Sequence, residues 1–267
     1  MNPPAAASPI FDVHSHLVPR VDDGARSLAA VRDGVGRMVE RGVRTIVTTP
    51  HLNGSMTRSR GYLEDFLGRV DEAYGDARRE VRDAFPGIRF LRGHEVSLDA
   101  ADPDLSDARI RLAGSDAVLV EWPHLRVPSS GTLSILRSLR SQGVRPLVAH
   151  PERYRGYRGR LELPAAWREE GAFLQVNYGS LAGRYGRRAR AIAARLLSRG
   201  LVDCLATDFH CRPHLRLYIR AARAAFRLRG AEEAWTLLTA TNPERICRGE
   251  DPLPMPSLEW NGEHPAP

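Results

Sequence analysis

The sequence predicts an α/β fold built on parallel strands, and three observations carry that reading. Short β-branched apolar runs alternate with helix-length segments along most of the chain, a glycine stands at each of four helix-to-strand joints, and polar residues collect at the carboxyl ends of the strands. An open doubly wound sheet and a closed barrel both satisfy these observations. With 267 residues, 42% of them hydrophobic, the chain can bury one large core or at most two, which excludes a disordered chain or a disulfide-stapled miniature.

Taken in order, the strand candidates are IFDV, RTIVTT, IRFL, DAVLVE, RPLVAH, AFLQVN and VDCLAT, each short and bounded by turn residues. The segment after the first strand carries Leu28, Val31, Val35, Met38 and Val39 at helical spacing, and the next carries Leu63, Phe66, Leu67, Val70 and Tyr74. Each has one apolar stripe. Gly42, Gly143, Gly171 and Gly200 fall between a helix end and a strand start, where a left-handed residue reverses the chain. Residues 1–9 are rich in Pro and Ala, and 248–267 hold five prolines with no apolar period, so both ends read as tails around an ordered unit at 10–247.

No apolar run approaches the ~18 residues of a membrane span, and the opening MNPPAAASPIF lacks the basic and apolar regions of a signal peptide. A cytoplasmic protein without membrane insertion is therefore expected. Cys204, Cys211 and Cys247 show no close pairing and are expected to be reduced. The net charge of +7 comes from 39 basic residues that are all Arg, with no Lys, a pattern of GC-rich coding more than of selected phosphate contacts. Stable nucleic-acid binding is not expected.

The chemistry lies at the strand ends. FDVHSH, TIVTTPH, FLRGHE, VLVE, PLVAH and CLATDFH all finish on His, Glu or Asp, and in a parallel sheet or barrel those ends share one face. Residues two apart in an extended strand project together, so His14 pairs with His16 and Asp208 with His210. Asp12, one step deeper, is expected to orient the His14 imidazole as an acceptor behind it. Taken singly, His51 and His150 are as well explained by capping or a buried hydrogen bond, and Glu121 and Asp208 by helix caps. Their joint placement points instead to a hydrolytic cluster of divalent zinc, manganese or iron, since imidazole and carboxylate without thiolate suit such ions.

His210-Cys211 invites comparison with the H-C-x5-R loop of cysteine phosphatases, but the register fails: the residue six past Cys211 is Leu217, with Arg216 one short. Pro213 also removes a backbone N–H that such a loop needs. Without Lys, no phosphate loop of the G-x-x-x-x-G-K-[ST] type exists.

The string DVHSHLVPRVDDG, followed in order by GVRTIVTTPH, GHE, VLVEW, LVAHPERY, QVN and ATDFH, resembles the polymerase and histidinol phosphatase (PHP) superfamily. Within it the likeness is to the CpsB/CapC-type bacterial tyrosine phosphatases of capsule and exopolysaccharide loci, over about residues 10–247. The resemblance implies a distorted TIM-like barrel of seven βα units, a (β/α)7 PHP fold, holding two or three divalent ions. Manganese is the foremost candidate, with iron, zinc or cobalt as substitutes. Carried over by motif, His14, His16, Glu95 and Asp208 hold the first ion, Glu95 bridges to a second held also by Glu121 and His150, and Asp23, His51 and His210 bind a third. Arg153 and Arg212 match positions that contact phosphate. The segment after His210 is about two residues shorter than the pattern. His94 precedes Glu95 where a small residue is usual, but strand parity turns it to the other face.

The implied activity is hydrolysis of phosphotyrosine on the tail of a bacterial tyrosine kinase. Beside it, the arginine-dense stretch 153–160 could receive an acidic, phosphorylated chain and is equally well explained as a solvated loop, and His124 or His214 near the rim could assist as acids although no strong acid is required. A homo-oligomer is compatible with the sequence. Two other readings compete: a small-molecule phosphatase of the histidinol phosphate type or a nucleic-acid phosphodiesterase, and a barrel retained as a weakly catalytic binding module.

Overall fold

The seven expected strands all form, and every strand pair is parallel. The computed structural model describes residues 8–156, 160–212, 214–256 and 258–260. The first strand, β1 (Ile10–Asp12), leads to α1 (Leu28–Val39), whose amino end is capped by Ser27 Oγ accepting from Ala30 N. The order continues with β2 (Val43–Thr48), β3 (His51–Asn53), α2 (Arg60–Ala84), β4 (Arg89–Arg92), β5 (Glu95–Ser97), β6 (Ala117–Glu121) and α3 (Thr132–Ser141). It ends with β7 (Arg145–Ala149), α4 (Glu162–Glu169), β8 (Phe173–Asn177), α5 (Tyr178–Leu181), α6 (Gly186–Ser198), β9 (Cys204–Ala206), α7 (Ile219–Arg227), α8 (Glu232–Thr236) and α9 (Asn242–Cys247). Gly42, Gly143, Gly171 and Gly200 all have positive φ, as their joints require.

Two short strands were not anticipated, and they explain how the sheet splits. One sheet runs β1-β2-β4 and the other β3-β5-β6-β7-β8-β9. β3 and β5 prolong β2 and β4 beyond a break: Pro50 cannot donate to a ladder, and a Cβ on Gly93 would lie 2.8 Å from the Leu112 side chain. Gly93 N to Thr48 O (3.0 Å) and Glu95 N to Pro50 O (3.2 Å) span the gap. The result is seven strand positions with a kink in the second and third. The last position meets the first through one bridge, Ser15 with Phe209, supported by His16 N to Phe209 O and Asp208 N to His14 O, both 2.9 Å. The chain is thus an α/β protein with a distorted barrel whose ladder is interrupted and not continuous.

Strand alternation sorts the core. Phe11, Val13, Ala117, Leu119, Leu147, Ala149, Cys204 and Ala206 share one buried cluster inside, while the intervening Val118, Val120, Val148, Leu174, Val176 and Leu205 belong to the larger cluster packed under the helices. Following the inner rows upward gives Ala117, Leu119, Glu121 in β6, Phe173, Gln175, Asn177 in β8, and Cys204, Ala206, Asp208 from β9. Each row turns from apolar to polar at its carboxyl end.

The described part of the segment expected to be a carboxyl-terminal tail lies against the barrel. Asn242 brackets Leu253 through two hydrogen bonds, Arg145 pairs with Asp251 at 3.0 Å, and Trp260 meets Phe226 edge-on at 4.7 Å. Its prolines hold it extended, so its Met and Trp contacts follow no helical or strand period. Residues 1–7, 257 and 261–267 of the two expected tails, 157–159 of the arginine-dense stretch, and Pro213 lie outside the described residues. No helix among the described residues is long and apolar enough to cross a membrane.

Candidate metal centre

At the carboxyl end of the barrel the nine residues singled out as ligands converge. His14 Nε2 and His16 Nε2 stand 3.3 Å apart and both face Glu95 Oε2, at 3.1 and 3.3 Å, and Asp208 Oδ1, at 3.4 and 3.5 Å. His150 Nε2 lies 3.0 Å from Glu95 Oε1 and 3.9 Å from Glu121 Oε2. On the outer side, Asp23 Oδ1 faces His210 Nε2 at 3.3 Å and His51 Nε2 at 3.6 Å, while His51 Nδ1 turns to Glu95 Oε2 at 3.2 Å. The His16 and His210 rings stack at 4.0 Å, joining the inner and outer halves.

Local backbone explains these directions. His150 and Asp208 both adopt positive φ, 36° and 51°, which re-aims each side chain at its strand end. Gly24 closes the loop carrying Asp22 and Asp23 over His16: a Cβ there would lie 2.2 Å from the His16 carbonyl oxygen. The β3–β5 pairing sets His51 beside Glu95 in register.

The donor chemistry fits cations. His14 Nδ1 faces Gln175 Oε1 at 2.9 Å and His16 Nδ1 faces Asp22 Oδ2 at 2.7 Å. Those acceptors assign the ring proton to Nδ1 in each neutral imidazole, leaving both Nε2 lone pairs aimed at each other and at two carboxylate oxygens. Such convergence of electron pairs requires a positive species between them. Without metal, protons would serve: burial alone would push the His14 imidazole down, but Glu95 and Asp208 outweigh it and lift it to about 9. Burial, reinforced by Glu95, pushes the Glu121 carboxyl up to about 8, whereas burial and the Arg153 cation hold His150 down near 4. Burial opposes ionisation of Glu95 and Asp208 as well, yet His14 and its neighbours hold both well below the usual carboxylate range. Four groups can each bring ligand atoms together: His14–His16–Asp208, His14–Glu95–His150, His51–Glu95–Glu121, and His16–Asp23–His51–His210.

Behind the cluster, one expectation is corrected. Asp12 does not orient His14; its two oxygens accept from Thr207 N (2.7 Å) and Thr207 Oγ1 (2.9 Å), so it ties β1 to the last strand, and burial pushes its carboxyl up to about 7. The acceptor behind His14 is Gln175, whose Nε2 donates to Asn177 Oδ1 at 2.8 Å, and Asn177 Nδ2 donates to Asp208 Oδ2 at 2.9 Å. A buried relay of side chains therefore connects His14 to Asp208. Its signal in the sequence was the pair of amides in QVN, polar residues on the inner face of an otherwise apolar strand. Asp22, the first acid of VDDG, was likewise missed. It accepts from His51 N (3.2 Å) and Gly24 N (2.9 Å) as well as facing His16, and although burial opposes its ionisation, His16 holds its pKa down.

The two arginines differ in placement. Arg153 Nη1 donates to Asp208 Oδ2, and its guanidinium lies 4.3 Å from the centre of the Tyr185 ring, whose phenol burial pushes up to about 12. The preceding Glu152 is buried and accepts from Asn177 N and Ser180 Oγ, which fixes the HPERY turn. Arg212 sits at the rim, donating to Asp23 O at 3.1 Å. His94 points away, against Arg109 O and Phe66, and burial holds it near 4. Among the described residues neither His124 nor His214 has a hydrogen bond or ion pair to the cluster. Cys211 is buried, donates Sγ–H to Ala30 O, and has its thiol pushed up to about 11 by burial, the reverse of a nucleophilic thiolate.

The chain is similar to proteins of known family and fold. The family model described as "Capsular polysaccharide synthesis, CpsB/CapC" matches residues 10–248. Tyrosine-protein phosphatase YwqE of Bacillus subtilis (strain 168) is 31% identical over 204 residues, 75% of this chain and 77% of its own. Tyrosine-protein phosphatase CpsB of Streptococcus pneumoniae is 26% identical over 215 residues, 75% of this chain and 83% of its own. A crystal structure from the work on YwqE from Bacillus subtilis and CpsB from Streptococcus pneumoniae, described as "unique metal-dependent tyrosine phosphatases", superposes with a TM-score of 0.77 at 25% identity, covering 93% of this chain and 98% of that one. On the family match and the shared fold, the chain belongs to the CpsB/CapC family.

Proposed function

We propose that this chain is a metal-dependent protein-tyrosine phosphatase that hydrolyses phosphotyrosine on the tail of a bacterial tyrosine kinase controlling capsule or exopolysaccharide synthesis. The observation that carries the reading is the convergence of His14, His16, Glu95 and Asp208 with their Nε2 lone pairs and carboxylate oxygens aimed at one point. These four would hold the first ion. Glu95, Glu121 and His150 would hold the second, and Asp23, His51 and His210 the third, manganese being the ion of choice. When bound, divalent ions lower the pKa of water toward about 7 and draw charge from phosphoryl oxygens.

The protein's own residues do the rest. The cluster offers four carboxylates, −4 when all are ionised, and three divalent ions would turn this to a net charge of +2, which attracts a phosphate dianion. Arg153, steadied by Asp208 and the Tyr185 ring, presents a fork for two phosphate oxygens, and Arg212 approaches from the rim. A tyrosine phenolate leaves with a pKa of about 10, so proton donation by a strong acid is not required. The catalytic unit in this reading is the barrel of residues 10–247, working in the cytoplasm where a kinase tail would reach it.

Protein purified without chelator and assayed for metal content, then stripped and re-supplied with manganese, tests the proposal. Activity on phosphotyrosine peptide should vanish with the metal and return with it, and should exceed turnover of histidinol phosphate and single-stranded DNA. Full turnover in the stripped protein would refute the mechanism.

A further inference from the structure

A cavity of about 670 Å³ lies outside the metal centre, between α1, the start of α6 and α7, and none of the nine candidate ligands lines it. Its floor is apolar, built from Leu181, Leu217, Ile219, Ala224 and Trp260, and Leu228 beside them is 74% exposed. Its rim is cationic: Arg37, Arg41, Arg190, Arg216, Arg220 and Arg229 line it, with no Asp or Glu among the lining residues. Nearby acids reach only part of this charge. Asp33 is 3.8 Å from Arg37 and Glu40 is 3.2 Å from Arg41, whereas Arg216 and Arg220 have no ion pair among the described residues.

The cavity is joined to the metal centre by one short segment. His210 and Arg212 stand at the centre, and Arg216, Leu217 and Tyr218 stand on the cavity wall. Arg37 reaches across from α1 to donate to the carbonyls of Arg212, at 3.2 Å, and of Leu215. The near edge of the cavity is four residues from Arg212, at most about 14 Å along the chain. A concave apolar floor under a cationic rim accepts a side chain flanked by acids, whereas a membrane surface favours a flat or convex face.

We infer that this cavity is a docking site for an acidic stretch of the polypeptide substrate, holding an apolar side chain on its floor and carboxylates or further phosphate on its arginines while a phosphotyrosine of the same chain occupies the metal centre. The inference rests on the phosphotyrosine reading above and adds to it a preference for acidic sequence several residues from the scissile phosphate. Charge complementarity selects this occupant over residues 261–267, which offer a single Glu and no large apolar side chain.

The test uses the full-length, manganese-loaded protein and its Arg216→Glu/Arg220→Glu variant. Probes are p-nitrophenyl phosphate, a phosphotyrosine peptide with an acidic flank containing Leu, the same peptide with a neutral flank, and the acidic peptide without phosphate. The wild type should show a KM at least about 10-fold lower for the acidic than for the neutral phosphopeptide, and calorimetry should detect the unphosphorylated acidic peptide binding. The double variant should lose both properties while turning over p-nitrophenyl phosphate as the wild type does. Equal KM values for the two flanks in the wild type, together with no binding of the acidic peptide, would overturn the inference while leaving the phosphatase reading intact. Binding of that peptide without any phosphotyrosine hydrolysis would overturn the phosphatase reading and leave the cavity as an acidic-peptide site only. Loss of self-association in the double variant, or binding to anionic vesicles without peptide preference, would each assign the cavity to another occupant and refute the inference.

Discussion

Replacing Gln175 with Met keeps the volume of the side chain but removes both hydrogen-bonding ends of the relay. His14 Nδ1–H loses its 2.9 Å acceptor and Asn177 Oδ1 loses its 2.8 Å donor, and all three residues are fully buried, so water does not replace either partner. Each orphaned buried group costs about 1–3 kcal/mol, giving a destabilisation of about 2–6 kcal/mol, the upper end reached only if neither side chain reorients. The functional effect is separable. With Gln175 gone, nothing assigns the His14 proton to Nδ1, and a ring that turns or changes tautomer no longer offers Nε2 to a cation; metal affinity should fall about 10- to 100-fold. Competition against a fluorescent chelator measures the affinity, and urea unfolding of the stripped protein measures the stability. Gln175→Glu, which retains an acceptor, should restore more of the affinity than of the stability. Metal affinity unchanged within twofold in Gln175→Met would refute the role given to the relay.

Asp208→Asn should lower bound metal and cut phosphatase activity by at least about 100-fold, since it removes a charge shared by three imidazoles and Arg153; retained activity by initial-rate assay would contradict the placement of the centre. Tyr185→Leu should raise KM about 2- to 30-fold with little change in metal content, the span expected for losing one cation–π contact on Arg153. Cys211→Ser should keep full activity, and a collapse of kcat would revive a thiol route. In the stripped protein, His14 titrates near 9 when folded against about 6.5 when unfolded, so its protonation stabilises the fold fully below pH 6.5 and that contribution fades as pH rises toward 9. Melting temperatures of the stripped protein should therefore fall across that window, and those of the manganese-loaded protein should not.

Most of the barrel was legible because strand alternation and helix-ending glycines are local properties: seven apolar runs and four Gly joints suffice to set the order. Eight of the nine converging side chains were legible for the same reason, since a parallel arrangement gathers strand ends whatever their distance in the chain, whereas Asp23, in the loop after β1, came only with the family resemblance. What was not legible is partner choice. Asp12 and Gln175 are both suited to support His14, and only the register of β1 against the final strand, which gives Asp12 to Thr207, decides between them. Asp22 and Asp23 are adjacent and chemically identical, and the turn forced by Gly24 sends one to His16 and the other to His210. The breaks after β2 and β4 depend on Pro50 and on the crowding of Gly93 by Leu112, a contact between segments that no periodicity records. The packing of Met255 and Trp260 is invisible to pattern for a similar reason.

The seam between the first and last strands has a bearing on biosynthesis. Thr207 bonds to Asp12 across a separation of 195 residues, and His14 and His16 wait for Asp208 to complete their cluster. A ribosome must therefore release most of the polypeptide before the first-ion group is complete, and a fragment ending short of residue 208 leaves two imidazoles with Glu95 but without the second of their two carboxylates. Such long-range closure is slow to form and easily lost to truncation, so maturation of the enzyme is tied to completion of its own translation.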